Sequence, residues 1–191
     1  MQFGLRAENT ISNGNSVTDN KIVRRSYLDL FPSLFVNQSI NDNNSLSFSY
    51  SRRIDRPNYD ALNPFVFYLD EYTYQKGNPF LNPQYSNTFE LNYLFRRKYS
   101  ATFIYTHTSG IITDVIIPDT AKKALFQTSE NLNNGRFYSL NLAAPFTVTK
   151  WWNINNSFTG FINQYDAKDL HGLTLSANKA TFYASSTHNF A

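Results

Sequence analysis

The chain contains no cysteine, which removes disulfides and thiolate metal sites and says little else about compartment. It is also poor in charge: 16% of its 191 residues are Asp, Glu, Lys or Arg, against roughly 25% in an average soluble domain. No stretch approaches the roughly 18 consecutive apolar residues of a membrane-spanning helix, so a helical membrane protein is excluded. The opening MQFGLRAENT lacks a basic segment followed by an apolar one, so no signal peptide is visible. An exported form would place this chain inside a longer precursor. The net charge of +3 is carried by scattered pairs such as Arg24 and Arg25 or Lys122 and Lys123. Without a continuous basic stripe, nucleic acid is not an expected partner.

Catalytic constellations are missing too. His107, His171 and His188 lie on separate segments with no metal-ligand spacing. Asp70 and Glu71 are adjacent, so on an extended chain they point opposite ways and make a poor acid and base. There is no Gly-rich phosphate loop and no nucleophile elbow. The expectation is a protein that is not an enzyme and holds no metal or cofactor.

What the chain does have is aromatic side chains, 17% of its residues with 13 Tyr and 17 Phe, set among plentiful Asn and Ser. Mean hydropathy is −0.44, but barrel strands alternate lipid-facing and lumen-facing residues and average out in such an index. The stretch 46–83 organises the rest. It starts as a strand, with Leu46, Phe48 and Tyr50 opposite Ser47, Ser49 and Ser51. Pro57, Pro64, Pro79 and Pro83 then break the pattern, since each removes a ladder donor. Alternation resumes at Gln84. A connection this long is normally functional or disordered. Tyr59, Phe65, Phe67, Tyr68, Tyr72, Tyr74 and Phe80 give it too much aromatic surface for a solvated linker. It reads as an ordered loop on a two-strand base.

Strand patterns recur along the chain: residues 2–8, 22–37 with Pro32 marking a bulge or an edge, 88–96, 99–117, 125–148, 152–165 and 173–190. That gives about eight strands and no convincing helix. The connections alternate long and short: residues 9–19, 41–44, 54–83, 96–98, 118–122, 149–150 and 166–172. In an up-and-down antiparallel sheet this puts short turns at one end and long loops at the other, the asymmetry of outer-membrane barrels. Trp151, Trp152 and Tyr99 beside short turns, with Tyr50 and Tyr105 further along their strands, fit girdles at two interfaces. Alternating aromatic strands also describe a soluble β-sandwich that binds glycan through its loop, or a self-contained eight-stranded barrel with an adhesin or structural role. Several segments reach the about 9–11 residues of a tilted spanning strand.

The segment SYSRRIDRPNYDALNPFVFYLDEYTYQKGNPFLNPQYSNTFELNY resembles the core of the outer-membrane β-barrel family found in TonB-dependent receptors of Bacteroidetes-type bacteria. QFGLRAENT and LDLFPSL look like upstream strands of the same barrel, and the likeness weakens after Gly110. The resemblance implies a cell outer-membrane location and an all-β, antiparallel up-and-down transmembrane β-barrel segment within a barrel of about 22 strands. Residues 1–191 would be a partial barrel domain without plug or signal peptide. It also implies uptake of a bulky nutrient such as a siderophore, glycan or peptide. The implied partners are outer-membrane lipid, an inner-membrane energy-coupling protein acting through the missing plug, and a surface lipoprotein.

Two groups are candidate site residues. Tyr68, Asp70, Tyr72, Tyr74 and Phe80 of the long loop either pack among themselves or offer stacking platforms to a ligand. Arg52, Arg53, Asp55 and Arg56 form the densest charge group, expected in the lumen. They either brace the upper wall through Asp55, Asp60 or a loop carboxylate, or line the path of an anion.

Overall fold

The computed structural model describes residues 1–16, 21–170 and 173–191. In chain order the strands are β1 (Gln2–Ser16), β2 (Lys21–Asn41) and β3 (Asn44–Asp55), followed by the one-turn helix α1 (Tyr59–Leu62). Next come β4 (Val66–Tyr68), β5 (Thr73–Lys76), β6 (Gln84–Phe95), β7 (Tyr99–Asp119), β8 (Ala124–Thr149), β9 (Trp152–Leu170) and β10 (Leu173–Phe190). Eight of these form one antiparallel wall in the order β1-β2-β3-β6-β7-β8-β9-β10. β4 and β5 make a small hairpin, and β5 pairs in parallel with the upper part of β8, Thr73 opposite Leu125.

The register explains the wall's two faces, because residues directly opposite across a ladder share a face. One row reads Leu34, Tyr50, Phe89, Tyr105, Tyr138, Ile162. The next reads Val36, Phe48, Leu91, Phe103, Leu140, Gly160, Phe182, and the third Leu46, Tyr93, Ala101, Leu142, Phe158. On the opposite face the partners are hydroxyls and amides that bond across strands. Thr88 meets Thr106 at 3.1 Å, Asn92 donates to Thr102 at 2.6 Å, and Thr159 donates to Asn141 at 2.9 Å. One face therefore carries cross-strand polar pairs, while the other is apolar apart from the hydroxyls of its tyrosines.

The apolar face is uncovered. Phe103 is 45% exposed, Leu91 43% and Leu140 41%. Covering each such side chain is worth about 1.5–3 kcal/mol, so a face of this size needs an apolar neighbour. No second sheet lies over it among the described residues, so the sandwich expectation is not met. The self-contained barrel is not met either, since it requires β1 against β10, and among the described residues β1 pairs with β2 alone and β10 with β9 alone.

Aromatic rings edge the band on both sides. Tyr50, Phe89, Tyr105 and Tyr138 touch in series, with centroids 4.8, 6.2 and 5.0 Å apart. Nearer the short turns, Phe95, Tyr99 and Phe146 form a second series, and Trp151, Trp152, His188 and Phe190 stack beside it. From Tyr138 to Phe146 the strand advances about 27 Å. With tilt, this matches the roughly 25 Å apolar band of a membrane barrel.

Several sequence expectations are corrected. Residues 9–16, read as a loop, continue β1, with Asn9 opposite Leu28 and Gly14 opposite Val23. Residues 17–19 of that loop lie outside the described residues. β9 runs on through residues 166–170, and His171 and Gly172 also lie outside. The turn expected at 118–122 falls at 120–123, because Pro118 and Asp119 are still paired with Leu125 and Ala124. The upper end is thus marked by tall hairpins as well as by a long loop, β8 alone having 26 residues. Asn58 caps α1, its side chain accepting from Ala61 N–H at 2.8 Å, where no helix was expected. Pro32 causes no register shift against β1. It stands beside Ser33, the last residue to pair with β3, so it marks an edge.

The turn between β6 and β7 places Arg96 and Arg97 at φ of 50° and 52°. They are the two central residues of the turn closed by Lys98 N–H donating to Phe95 O at 3.0 Å, and left-handed backbone at both is costly for a side chain with a β-carbon. Arg97→Gly is expected to stabilise the folded wall by about 1 kcal/mol, read as a higher urea midpoint of the protein in lipid vesicles. An unchanged or lower midpoint would contradict the strain assigned to this turn.

Candidate functional site

Above the wall, the segment between β3 and β6 is ordered by side chains acting in place of a ladder. β2 and β3 pair only as far as Ser33 and Ser51, and β6 begins at Gln84 while β7 and β8 continue far beyond it. The backbone groups of the segment must be met some other way. Each Asn-Pro-Phe triplet folds into the same Asx turn: Asn63 Oδ1 accepts from Phe65 N–H at 3.2 Å and Asn78 Oδ1 from Phe80 N–H at 3.0 Å. Gly77 N–H donates to Asn63 O at 2.9 Å. A β-carbon at Gly77 would strike the carbonyl oxygens of Asp60 and Asn63, so only glycine allows this approach.

Residues 78–82 are then clipped from two sides. Arg25 of β2 donates to the carbonyls of Pro79 and Leu81, both at 2.7 Å. From β8, Asn131 accepts from Asn82 N–H at 2.8 Å and donates to Asn82 O at 2.9 Å and Gly110 O at 2.8 Å. Asn78 donates to Ser129 O at 3.1 Å. Leu81, between the clips, is the largest fully buried side chain among the described residues. Gly110, at φ +66°, sits where β7 rises past the start of β6 and Pro83 O lies close to it.

The five loop candidates divide. Tyr74 is buried, stacks on Phe126 at 5.6 Å, donates to Asp119 Oδ2 at 2.8 Å and carries Lys122 Nζ over its ring at 4.8 Å. Asp70 accepts from Tyr72 N–H at 2.8 Å and shapes the hairpin turn. Tyr68, Tyr72 and Phe80 are largely exposed. Tyr72 lines a hollow of about 500 Å³ with Thr73, Pro118, Lys123 and Leu125. Phe80 borders a smaller one of about 200 Å³ with Pro64, Asn78 and Phe126.

The charge group does not act as one cluster. Asp55 accepts from Gln84 at 3.1 Å, and no ion pair joins it to an arginine among the described residues. Arg56 reaches Glu8 on β1 at 2.8 Å and Thr10 at 3.0 Å, not Asp60. Arg52 lies over the Tyr85 ring, 5.3 Å from its centre. Arg52 and Arg53 alternate along β3, and Arg52 continues the parity of Leu46, Phe48 and Tyr50, so a shared lumen position is not what the register gives. Tyr85 donates to Asp29 of β2 at 3.0 Å, and with Arg56 it spans the gap where β2 and β3 have parted. Arg25 and Asn131, the residues that hold the loop, carry no sequence signal that separates them from Arg24 or Asn134.

Asp119 is held below the usual carboxylate range, first by the Tyr74 hydroxyl and then by the Lys122 N–H. Burial, followed by the hydrogen bond and charge of Asp119, pushes the Tyr74 hydroxyl up to about 12. Among the described residues no group of three or more His, Cys, Asp or Glu could hold a metal ion.

A single-layered sheet with one uncovered apolar band, aromatic edges and a clipped loop above defines a section of a transmembrane β-barrel wall. The chain belongs to the outer membrane protein beta-barrel family, which it matches over residues 1–191. It is a membrane-barrel protein of the outer membrane. No curated protein matches it. Among solved structures it is similar to the siderophore receptor PirA from Pseudomonas aeruginosa, with a TM-score of 0.59 at 15% identity over 84% of this chain and 35% of that one. It also resembles the ferric enterobactin receptor PfeA from Pseudomonas aeruginosa in complex with enterobactin, with a TM-score of 0.55 at 15% identity over 83% of this chain and 32% of that one. The copper transporter OprC gives a TM-score of 0.55 at 12% identity, over 99% of this chain and 37% of that one. These likenesses are of fold, and the chain spans about a third of the length of the structures it matches.

Two expectations follow for the loop. Tyr74 keeps its proton more tightly when docked than when free, where a tyrosine titrates near 10. Docking of the β4–β5 hairpin is therefore at full strength below pH 10, weakens as pH rises from 10, and loses this contribution above about 12. A spin-label pair at Tyr72→Cys and Thr120→Cys should separate over that window. In Tyr74→Phe the same separation should not track it, and an identical response there would remove Tyr74 as the cause. Gly77→Ala should displace residues 60–63 from 77–78 and raise amide exchange of the loop at least about tenfold, while the exchange of β6 and β7 stays as it was.

Proposed function

We propose that the chain supplies wall and outer vestibule to an outer-membrane receptor of the TonB-dependent type that admits a bulky nutrient of the siderophore, glycan or peptide class. The observation that carries this reading is the pairing of an uncovered apolar band with an ordered, aromatic loop clipped above it. In this assignment the exposed rings of Tyr68, Tyr72 and Phe80 stack on the ligand, while Asp70 and Tyr74 hold the hairpin that presents them. Arg56 braces β3 to β1 through Glu8. Further strands complete a barrel of about 22, a plug carries the coupling to the inner-membrane energy protein, and a surface lipoprotein is a further partner. The motifs SRRIDRP and GNPF support placing the receptor in the Bacteroidetes-type group.

Since the chain has no cysteine of its own, a single replacement places one label at a chosen position of either face, read against the unreplaced receptor. In outer membranes, a polarity-sensitive dye at Leu91→Cys or Leu140→Cys should report hydrocarbon, and the same dye at Thr102→Cys or Asn141→Cys should report water. Uptake should fall at least about tenfold in Tyr72→Ala with Phe80→Ala, as expected for the loss of two stacking rings. Water at all four labelled positions would end the wall assignment. Unchanged uptake with the labels as expected would end only the role of the loop.

A further inference from the structure

Immediately above the Tyr50, Phe89, Tyr105, Tyr138 series, the same face changes character within one rung. The next row reads Arg52, Asn87, His107, Arg136, Gln164, Asn178. Every position that was apolar one rung below now carries a polar or cationic group, and none is a carboxylate. His107 and Arg136 are direct cross-strand partners, so their β-carbons lie about 5 Å apart. Arg136 is exposed, and neither its side chain nor that of His107 engages another side chain among the described residues. Arg52 adds positive charge about 14 Å along the row, at three strand spacings, with its guanidinium over Tyr85. The carboxylate nearest in register is Asp166, one rung higher on β9, and it accepts from Ser176 Oγ at 3.2 Å.

A guanidinium without a side-chain partner among the described residues, directly over a tyrosine girdle, stands at headgroup depth on the lipid side. Given the outer-membrane location and the loops at this end of the strands, that depth is the outer leaflet. We propose that this row binds the phosphorylated headgroup of an outer-leaflet glycolipid, with Arg136 and His107 as the primary contacts. The guanidinium fork suits phosphate oxygens, and the imidazole N–H adds a second donor beside it. Asn87, Gln164 and Asn178 offer uncharged donors and acceptors to sugar hydroxyls along the same row. Tyr105 and Tyr138, ring to ring at 5.0 Å, form the floor on which the first acyl carbons rest.

The test uses the whole receptor extracted from the outer membrane. Binding of lipopolysaccharide bearing both lipid A phosphates is measured by native mass spectrometry, for wild type, for Arg136→Gln with His107→Gln, and for Lys150→Gln at the opposite turns. The double variant should bind about tenfold more weakly, the loss of a charge-assisted contact and a neighbouring donor, and Lys150→Gln should match wild type. Enzymatically dephosphorylated lipopolysaccharide should bind all three alike. Equal binding of the phosphorylated form by wild type and double variant overturns the proposal. So does an equal loss on phosphatidylglycerol vesicles, which would make the row a general anion surface. If the double variant fails to fold, Arg136→Lys serves instead. It keeps the charge and loses the fork, and it should bind the phosphorylated form more weakly than wild type, binding equal to wild type overturning the proposal.

Discussion

Hydrocarbon accepts no hydrogen bonds, and this one fact governs the molecule. Within the band the backbone groups between neighbouring strands are paired along an unbroken ladder, from Phe3 opposite Leu34 to Phe182 opposite Gly160, and the outer edges of β1 and β10 carry no partner strand among the described residues. The side chains in the middle of the lipid face are those that ask for no partner, the tyrosines with hydroxyls to satisfy stand toward its borders, and the cross-strand polar pairs stand on the other face. Outside the band the constraint relaxes. β2 and β3 part, the ladder between β3 and β6 stops, and the chain leaves the sheet.

What replaces the ladder is the structural basis of the vestibule. Arg25 from β2 and Asn131 from β8 satisfy backbone groups of the loop that a ladder would have met lower down, and Asn78 of the loop donates in turn to Ser129 O of β8. The hairpin is fixed by different means, a buried tyrosine, its carboxylate partner and a short parallel ladder. A loop held this way presents Tyr72 in a defined position beside the tip of the β7–β8 hairpin.

Much of the wall was legible because one face is apolar. Phe89, Leu91 and Tyr93 alternate with Thr88, Glu90 and Asn92, and no other structure accounts for that pattern as simply. Residues 9–16 were not legible as strand, because Asn9, Thr10, Ser12 and Asn13 are polar on both faces above the membrane and leave no period to detect. The same holds for the end of β9. In the loop, aromatic content announced order but not which ring would be buried. Tyr72 and Tyr74 differ through Phe126 and Asp119, some fifty residues away in sequence, and no local signal carries such a distance. Arg52 and Arg56 looked like members of one cluster because they are close along the chain. Alternation and the parting of β2 and β3 sent them to different neighbours.

The clips on residues 78–82 also bear on how the wall is held together. Arg25 reaches this segment from β2, and Ser129 and Asn131 reach it from β8. In the wall three strands, β3, β6 and β7, lie between those two. At the height of the clips β2 has already left β3, so no ladder joins it to that side of the sheet there. One arginine side chain, a few backbone atoms and an asparagine stand in for that ladder. The loop therefore fastens the upper part of β2 to β8 across the opening, and cutting it would leave that part of β2 held to that side by fewer ties, among them Tyr85 to Asp29.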